Sequence, residues 1–289
     1  MDIKKYFTIR GYQKSGTNWL SNLVNRHPQI YCRGEYHFKI LKRAVNNYLE
    51  NDFRAKFQKE VKANYRVTVE ECLVKGVSNP GQILWFGDRT PTDLFPKILP
   101  NIKQLFIVRD GRDVFVSQIY HRLRHGFNGA HLRDSEFNRV FSNFPSLESK
   151  LELFKKDTSY FDKNPMELIT DKKYVEHFAK HWDNFIQDNL KFIFKLEKIK
   201  KEENVLIVKY EDLHDNMEDE MVRIINYFNL DSESLNPLDE KTSPGFKKVD
   251  NLSLYRSGKV RGWEKHFNQD MLDCYNISAE RSLKYFDYL

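Results

Sequence analysis

Four short β-type runs, at residues 6–10, 83–86, 102–108 and 205–208, are separated by segments with the three-and-four spacing of amphipathic helices. Strands that alternate with helices favour a parallel sheet covered on both faces, because each parallel crossover lays a helix on the sheet. The sequence therefore predicts an α/β fold: a central parallel sheet with helices on both faces, in one domain spanning 1–289. Helices are expected at 17–25 and at 113–124, where Val114, Val116, Ile119, Tyr120 and Leu123 offer apolar faces. Tyr174, Phe178, Trp182, Phe185, Ile186, Leu190 and Ile193 form one stripe down a longer helix. A last helix is expected at 216–228. Residues 38–72 read as charged and helical, and 126–171 as mixed and loop-rich. Both are taken as elaborations around a site.

Composition removes several other classes. Aromatic residues make up 14% of the 289 residues, which opposes disorder, since large apolar side chains offset ordering entropy. The longest apolar runs, such as Leu105-Phe106-Ile107-Val108, fall far short of the roughly 20 residues a membrane span needs. Cys32, Cys72 and Cys274 are widely spaced, with no CxxC pair, and read as free thiols. With no apolar leader near the N-terminus, a cytoplasmic protein without stem, anchor or membrane insertion is expected. The net charge of +6 points to an anionic partner. Lys/Arg and Asp/Glu are interspersed, so a nucleic-acid-binding face is not expected.

The most informative segment is Gly11-Tyr12-Gln13-Lys14-Ser15-Gly16-Thr17-Asn18-Trp19-Leu20. It leaves a strand and opens a helix, where backbone N–H groups and the helix dipole hold an anion. Gly11 and Gly16 have the spacing of GxxxxGK[ST]. Yet Thr17 stands in place of the lysine, and Asn18 in place of the hydroxyl that would hold Mg²⁺. Lys14 instead precedes Gly16. The segment reads as a phosphate loop without a magnesium ligand, which makes the expected sheet one of the P-loop type.

A second charged cluster, Arg109-Asp110-Gly111-Arg112-Asp113, follows the buried run 105–108, and Ser117 lies eight residues after Arg109. Such a cluster at the carboxyl end of a parallel strand sits where open α/β sheets bind ligands. A guanidinium fork suits phosphate. Asp110 and Asp113 read as helix-start acids. A third segment, Arg256-Ser257-Gly258-Lys259-Val260-Arg261-Gly262-Trp263, is basic and glycine-containing.

Together these segments resemble sulfotransferases that use 3′-phosphoadenosine 5′-phosphosulfate (PAPS). Lys14-Ser15-Gly16-Thr17-Asn18-Trp19 is similar to the family's Lys-Ser-Gly-Thr-Thr-Trp loop for the 5′-phosphosulfate, and Asn18 is the one departure. Arg109 and Ser117 match its 3′-phosphate element. Arg256, Gly258, Trp263 and Phe267 are in step with the family's Arg-Lys-Gly segment. Ser257 there replaces the lysine, and Gly262 falls one place late. The resemblance implies that Lys259 and Arg261 supply the missing charge. It further implies that Tyr210, in Tyr210-Glu211-Asp212, packs near adenine, with Thr242-Ser243 as another adenine contact. PAPS would be the sulfuryl donor and 3′-phosphoadenosine 5′-phosphate (PAP) the product, with no metal.

The base for the acceptor proton has two candidates. Where many small-molecule members place a histidine, this chain has Phe86-Gly87-Asp88-Arg89. His27-Pro28 followed by Gly34-Glu35 resembles the arrangement in tyrosylprotein sulfotransferases. Glu35 is favoured as base, Asp88 is the runner-up, and Arg89 is a sulfate ligand; a plain salt bridge is the alternative for either acid. His121, His125 and His131 form no convincing metal set. The aromatic residues of 31–57 and 137–161 either line an acceptor pocket or, for the most part, pack a core. The expected reaction is in-line transfer to a hydroxyl or amine of a small molecule, since the expected lack of stem and signal disfavours a Golgi-type glycan or protein acceptor. The alternative is a nucleotide or small-molecule kinase with a degenerate Walker loop.

Overall fold

The computed structural model describes residues 4–34, 43, 46–47, 58–75, 77–89, 102–129, 135–198, 204–244, 250–253 and 256–289. In chain order, β1 (Lys5–Gly11) leads to α1 (Thr17–Val24) and β2 (Ile30–Cys32). Next come α2 (Gln58–Val74), β3 (Trp85–Asp88) and β4 (Lys103–Val108). A helical stretch follows: α3 (Gly111–Phe127), α4 (Ser135–Asn143), α5 (Ser146–Lys156), α6 (Tyr160–Lys163) and α7 (Lys172–Lys198). The chain then forms β5 (Val205–Lys209), α8 (Tyr210–Asp215), α9 (Met217–Tyr227), α10 (Gln269–Ser278) and α11 (Glu280–Tyr285). Among the described residues, no helix is long and apolar enough to cross a membrane.

Chain contacts divide the molecule into two compact units. The first comprises Met1–Gly11, Gly16–Val108 and Phe194–Thr242; the second comprises Tyr12–Ser15, Arg109–Ile193 and Ser243–Leu289.

The first unit holds the five-stranded sheet, all parallel, in the order β2-β3-β1-β4-β5. Neighbouring residues of one strand point to opposite faces. Tyr6 and Phe86 therefore meet Tyr65, Val69 and Leu73 of α2 on one side. Phe7 and Trp85 meet Phe228 on the other, at ring-centroid distances of 4.9 and 5.1 Å. Helix α1 buries Leu20, Leu23 and Val24 completely. The sheet thus has helices around it, as expected. The strand order reverses at β1, which lies between β3 and β4, and such switch points are where α/β sheets bind ligands.

The second unit is built around α3. Val114, Phe115 and Leu123 are fully buried, and Phe115 lies 4.7 Å from Phe178 and 5.2 Å from Tyr174. Phe141, Phe144, Phe154 and Phe161 are buried too, so this part of the aromatic surplus packs a core.

Three expectations about elements change. Strand β2 has only three residues, too few to show a period, and was not expected. The stretch read as loop-rich contains α4, α5 and α6; in α5, Leu147, Lys150, Leu151 and Phe154 recur at helical spacing and are buried. Helix α9 is followed by α10 and α11 and is not the last. Within 38–72, α2 is helical as expected, while most of 38–57 lies outside the described residues.

Candidate active site

The loop leaving β1 is bent by two residues with positive φ: Lys14 at 74° and Gly16 at 97°. For a lysine this region is strained, the kind of conformation that collects at ligand sites. Between them Ser15 is fully buried, and its Oγ has no hydrogen-bond partner among the described residues. A buried hydroxyl without a partner suits a loop whose partner is a ligand. The turn is closed by the Ser15 N–H donating to Tyr12 O at 3.0 Å.

In the first unit, Gly16 opens α1, which begins at Thr17 and Asn18. A Cβ at Gly16 would lie 2.6 Å from the Tyr210 ring. The Trp19 and Tyr210 ring centroids are 5.1 Å apart, and Trp19 Nε1 donates to Thr242 O at 2.9 Å. The first-turn N–H groups of α1 have no intrahelical acceptor, as in any helix. Phosphate loop, indole and phenol are therefore packed against one another, with Thr242 alongside. Ser243, next in the chain, is half-buried.

In the second unit, Lys14, Ser117, Tyr120, His121, Arg124, Asn251, Ser253 and Arg256 line one cleft of about 210 Å³, part of it open to solvent. Burial first, and then the charges of Arg124, Arg109 and Arg256, lower the Lys14 pKa to about 8. The guanidinium of Arg256 stacks over the Tyr120 ring at 3.9 Å and lies 3.7 Å from Asp162. Arg109 ties two of the loops together: Nη1 donates to Lys14 O at 3.3 Å and Nη2 to Lys259 O at 2.8 Å. Asp110 accepts the Arg112 N–H at the start of α3, as a helix-start acid should. Ser257 is buried, Gly258 half-buried with φ 61°, and the Lys259 side chain exposed.

The structure thus brings Lys14, Ser117 and Arg256 together, with Arg109 bonded to the Lys14 backbone. Tyr120, Arg124, Asn251 and Ser253 were not foreseen as lining residues, and His121 was read as an ordinary histidine. A signal existed. Ser117, Tyr120, His121 and Arg124 recur at spacings of three and four, which places them on one helix face.

Asp88 ends β3, is fully buried, and pairs in register with Thr8, whose Oγ1 donates to its backbone oxygen at 3.2 Å. Burial, then the Asp88 charge, pushes up the Cys32 thiol, while Arg89 acts the other way. A Cβ at Gly34 would stand 3.4 Å from Arg89 Nη2. Glu35 lies outside the described residues. Among the described residues, no group of three or more His, Cys, Asp or Glu is placed to hold a metal ion.

The sulfotransferase domain model matches residues 4–286, so the chain belongs to the sulfotransferase family. Solved structures similar to it include mouse sulfotransferase SULT7A1 complexed with PAP, at 17% identity and TM-score 0.45, covering 100% of this chain and 90% of that one. A sulfotransferase from Alicyclobacillus acidocaldarius matches at 12% identity and TM-score 0.48, covering 98% and 94%. The sulfotransferase domain from the curacin biosynthetic pathway matches at 14% and 0.47, covering 100% and 99%. No curated protein matches the chain significantly.

Proposed function

We propose that this sulfotransferase moves the sulfuryl group of PAPS to a hydroxyl or amine of a small acceptor in the cytoplasm, without a metal. The observation that carries the reading is the convergence of Lys14, Arg124, Arg256 and Ser117 on one cleft. Such a set of cations and a hydroxyl suits a phosphate better than a neutral ligand. The buried Ser15 Oγ, without a partner among the described residues, fits the same donor. The kinase alternative lapses with the family match and with Asn18 at the magnesium position.

When bound, PAPS supplies an activated sulfuryl group on a phosphate leaving group. Lys14 offers positive charge where negative charge builds on that phosphate, and Ser15, Thr17 and Asn18 offer donors from the loop and the start of α1. Arg109, Ser117, Arg256, Ser257, Gly258 and Lys259 are assigned to the 3′-phosphate element. Trp19, Tyr210 and Ser243 are assigned to the adenosine. Glu35 takes the acceptor proton, with Asp88 as the second candidate and Arg89 on the sulfuryl oxygens. Calorimetric titration with PAP, together with transfer from PAPS in the presence of EDTA, tests the reading. Tight PAP binding lost in Lys14→Ala and EDTA-resistant turnover are the expected results. Mg²⁺-dependent ATP hydrolysis with no PAP binding overturns it.

A further inference from the structure

The resemblance that assigns the third loop to the 3′-phosphate leaves that loop one cation short, since Ser257 occupies the lysine position. The resemblance points to Lys259 and Arg261 as substitutes. Neither lines the cleft: both side chains are exposed, the Lys259 carbonyl is held by Arg109, and the Arg261 N–H donates to Asp113. A cation enters from α3 instead.

Arg124 lines the cleft and is only 7% exposed. Its side chain makes one hydrogen bond among the described residues, from Nη2 to His121 Nδ1 at 3.0 Å. Arg109 has Asp113 at 3.8 Å and Arg256 has Asp162 at 3.7 Å. Arg124 has no such carboxylate among the described residues, and burial alone lowers its pKa. A buried guanidinium beside two other cations is unfavourable until an anion completes the set.

We infer that Arg124 is a phosphate-binding residue, replacing the cation absent at position 257, and that His121 is the positioning residue that turns its guanidinium into the cleft. The inference rests on the PAPS reading above, and it assigns Arg124 to the 3′-phosphate because Ser117 and Arg256 share its cleft. For His121 to accept from Arg124, Nδ1 must be unprotonated. Burial, then Lys14, His125, Arg124 and Arg122, lowers the His121 pKa to about 3, which keeps the ring neutral. The ring proton then belongs to Nε2, and the Gln13 side-chain nitrogen 3.5 Å away, itself a donor, accepts nothing from it. Gln13 in turn accepts from Gln118 Nε2 at 3.0 Å and immediately precedes Lys14 in the chain. His121 on α3 thus aims Arg124, and Gln118 on the same helix holds Gln13 beside Lys14.

The test is a calorimetric titration of wild type, Arg124→Ala, Arg124→Lys, His121→Leu and His121→Asn with two probes, adenosine 3′,5′-bisphosphate and adenosine 5′-phosphate. Arg124→Ala is expected to weaken the bisphosphate roughly 10- to 100-fold, the range of a charge-assisted hydrogen-bonded contact, and the monophosphate by less than about 3-fold. Arg124→Lys restores part of the difference. His121→Leu reproduces about a 10-fold loss of the same preference, and His121→Asn, whose Oδ1 can accept from Arg124, recovers it. Equal weakening of both probes, or no weakening of either, overturns the assignment. So does a His121→Leu variant that keeps the preference. If thermal unfolding shows Arg124→Ala to be unfolded, Arg124→Gln against Arg124→Lys decides: the preference must fall further in the glutamine variant, and equal preferences overturn the assignment. A wild type that does not prefer the bisphosphate fails the PAPS reading and takes this inference with it. A preferring wild type with an unaltered Arg124→Ala fails this inference alone.

Discussion

The Asp113 carboxylate accepts the backbone N–H of Trp263 at 2.9 Å, through Oδ1. Its other oxygen, Oδ2, accepts the Arg261 N–H at 2.9 Å and lies 3.8 Å from Arg109 Nη2. An acid read from the sequence as a helix-start charge therefore also holds the C-terminal loop and one of the site's arginines. In Asp113→Asn, the amide nitrogen cannot accept, so one backbone donor loses its partner, at a cost of about 1–3 kcal/mol. Chemical denaturation is expected to show that loss, and calorimetry a PAP affinity roughly tenfold weaker.

Lys14 gives PAP binding a predictable alkaline limb. Its pKa in the free protein is lowered to about 8 by burial and by its arginine neighbours. A bound anion favours the charged form and raises that value again. Below pH 8 the lysine is already protonated, so it contributes no pH dependence. Above pH 8 binding takes up a proton, and affinity falls by up to about tenfold per pH unit. Titrations between pH 7 and 10 check this, and Lys14→Arg, charged throughout, is expected to flatten the limb.

Gly16→Ala is expected to damage the loop. The φ of 97° disfavours any side chain, and the new Cβ would lie 2.6 Å from the Tyr210 ring. Thermal unfolding is expected to report a loss of about 1–3 kcal/mol, with PAP binding weakened in parallel. An unchanged melting temperature contradicts the packing described for Tyr210.

The two carboxylates separate by kinetics. Glu35→Gln is expected to lower kcat by roughly 10²–10⁴, the usual worth of a general base, with PAP affinity unchanged. Asp88→Asn alters a fully buried strand residue and is expected to lower thermal stability first. Near-normal turnover in Glu35→Gln with loss in Asp88→Asn would exchange the two roles.

A buried histidine far from the phosphate loop in sequence makes the fold sensitive to acid. His266 is fully buried, with Nδ1–H donating to Pro165 O at 3.0 Å, and burial lowers its pKa from 6.5 to about 4. Between these values the unfolded chain binds one more proton than the folded chain. Stability is therefore complete above pH 6.5 and falls as pH drops toward 4, by about 1.4 kcal/mol per pH unit. Urea titrations from pH 7 to 4 measure the slope. His266→Asn keeps a donor for Pro165 and is expected to remove this one-proton contribution.

Local chemistry was legible in the chain; convergence was not. The loop from Lys14 to Trp19 is contiguous, so its glycine, lysine and small polar residues could be read together. The strands β1, β4 and β5 were visible as apolar runs. The expected run at 83–86 shifts to β3 at Trp85–Asp88 because Gly87 and Asp88, poor strand formers by themselves, pair with Phe7 and Thr8. Arg124 was missed for a different reason. Helix α3 buries most of its residues, and its polar face acquires meaning only when Lys14 and Arg256 arrive from other parts of the chain. Likewise Asp113 reads in the sequence only as a helix-start charge, while in the fold the loop after Lys259 rests on it.

The cleft's three basic residues are contributed by widely separated stretches of the unit, at positions 14, 124 and 256. On a ribosome, the first two would be synthesised long before the third emerges. The complete basic set is therefore a property of the finished chain. A ligand that binds only this completed arrangement favours it by mass action, so an anion held by all three would help decide how much of the newly made protein stays folded.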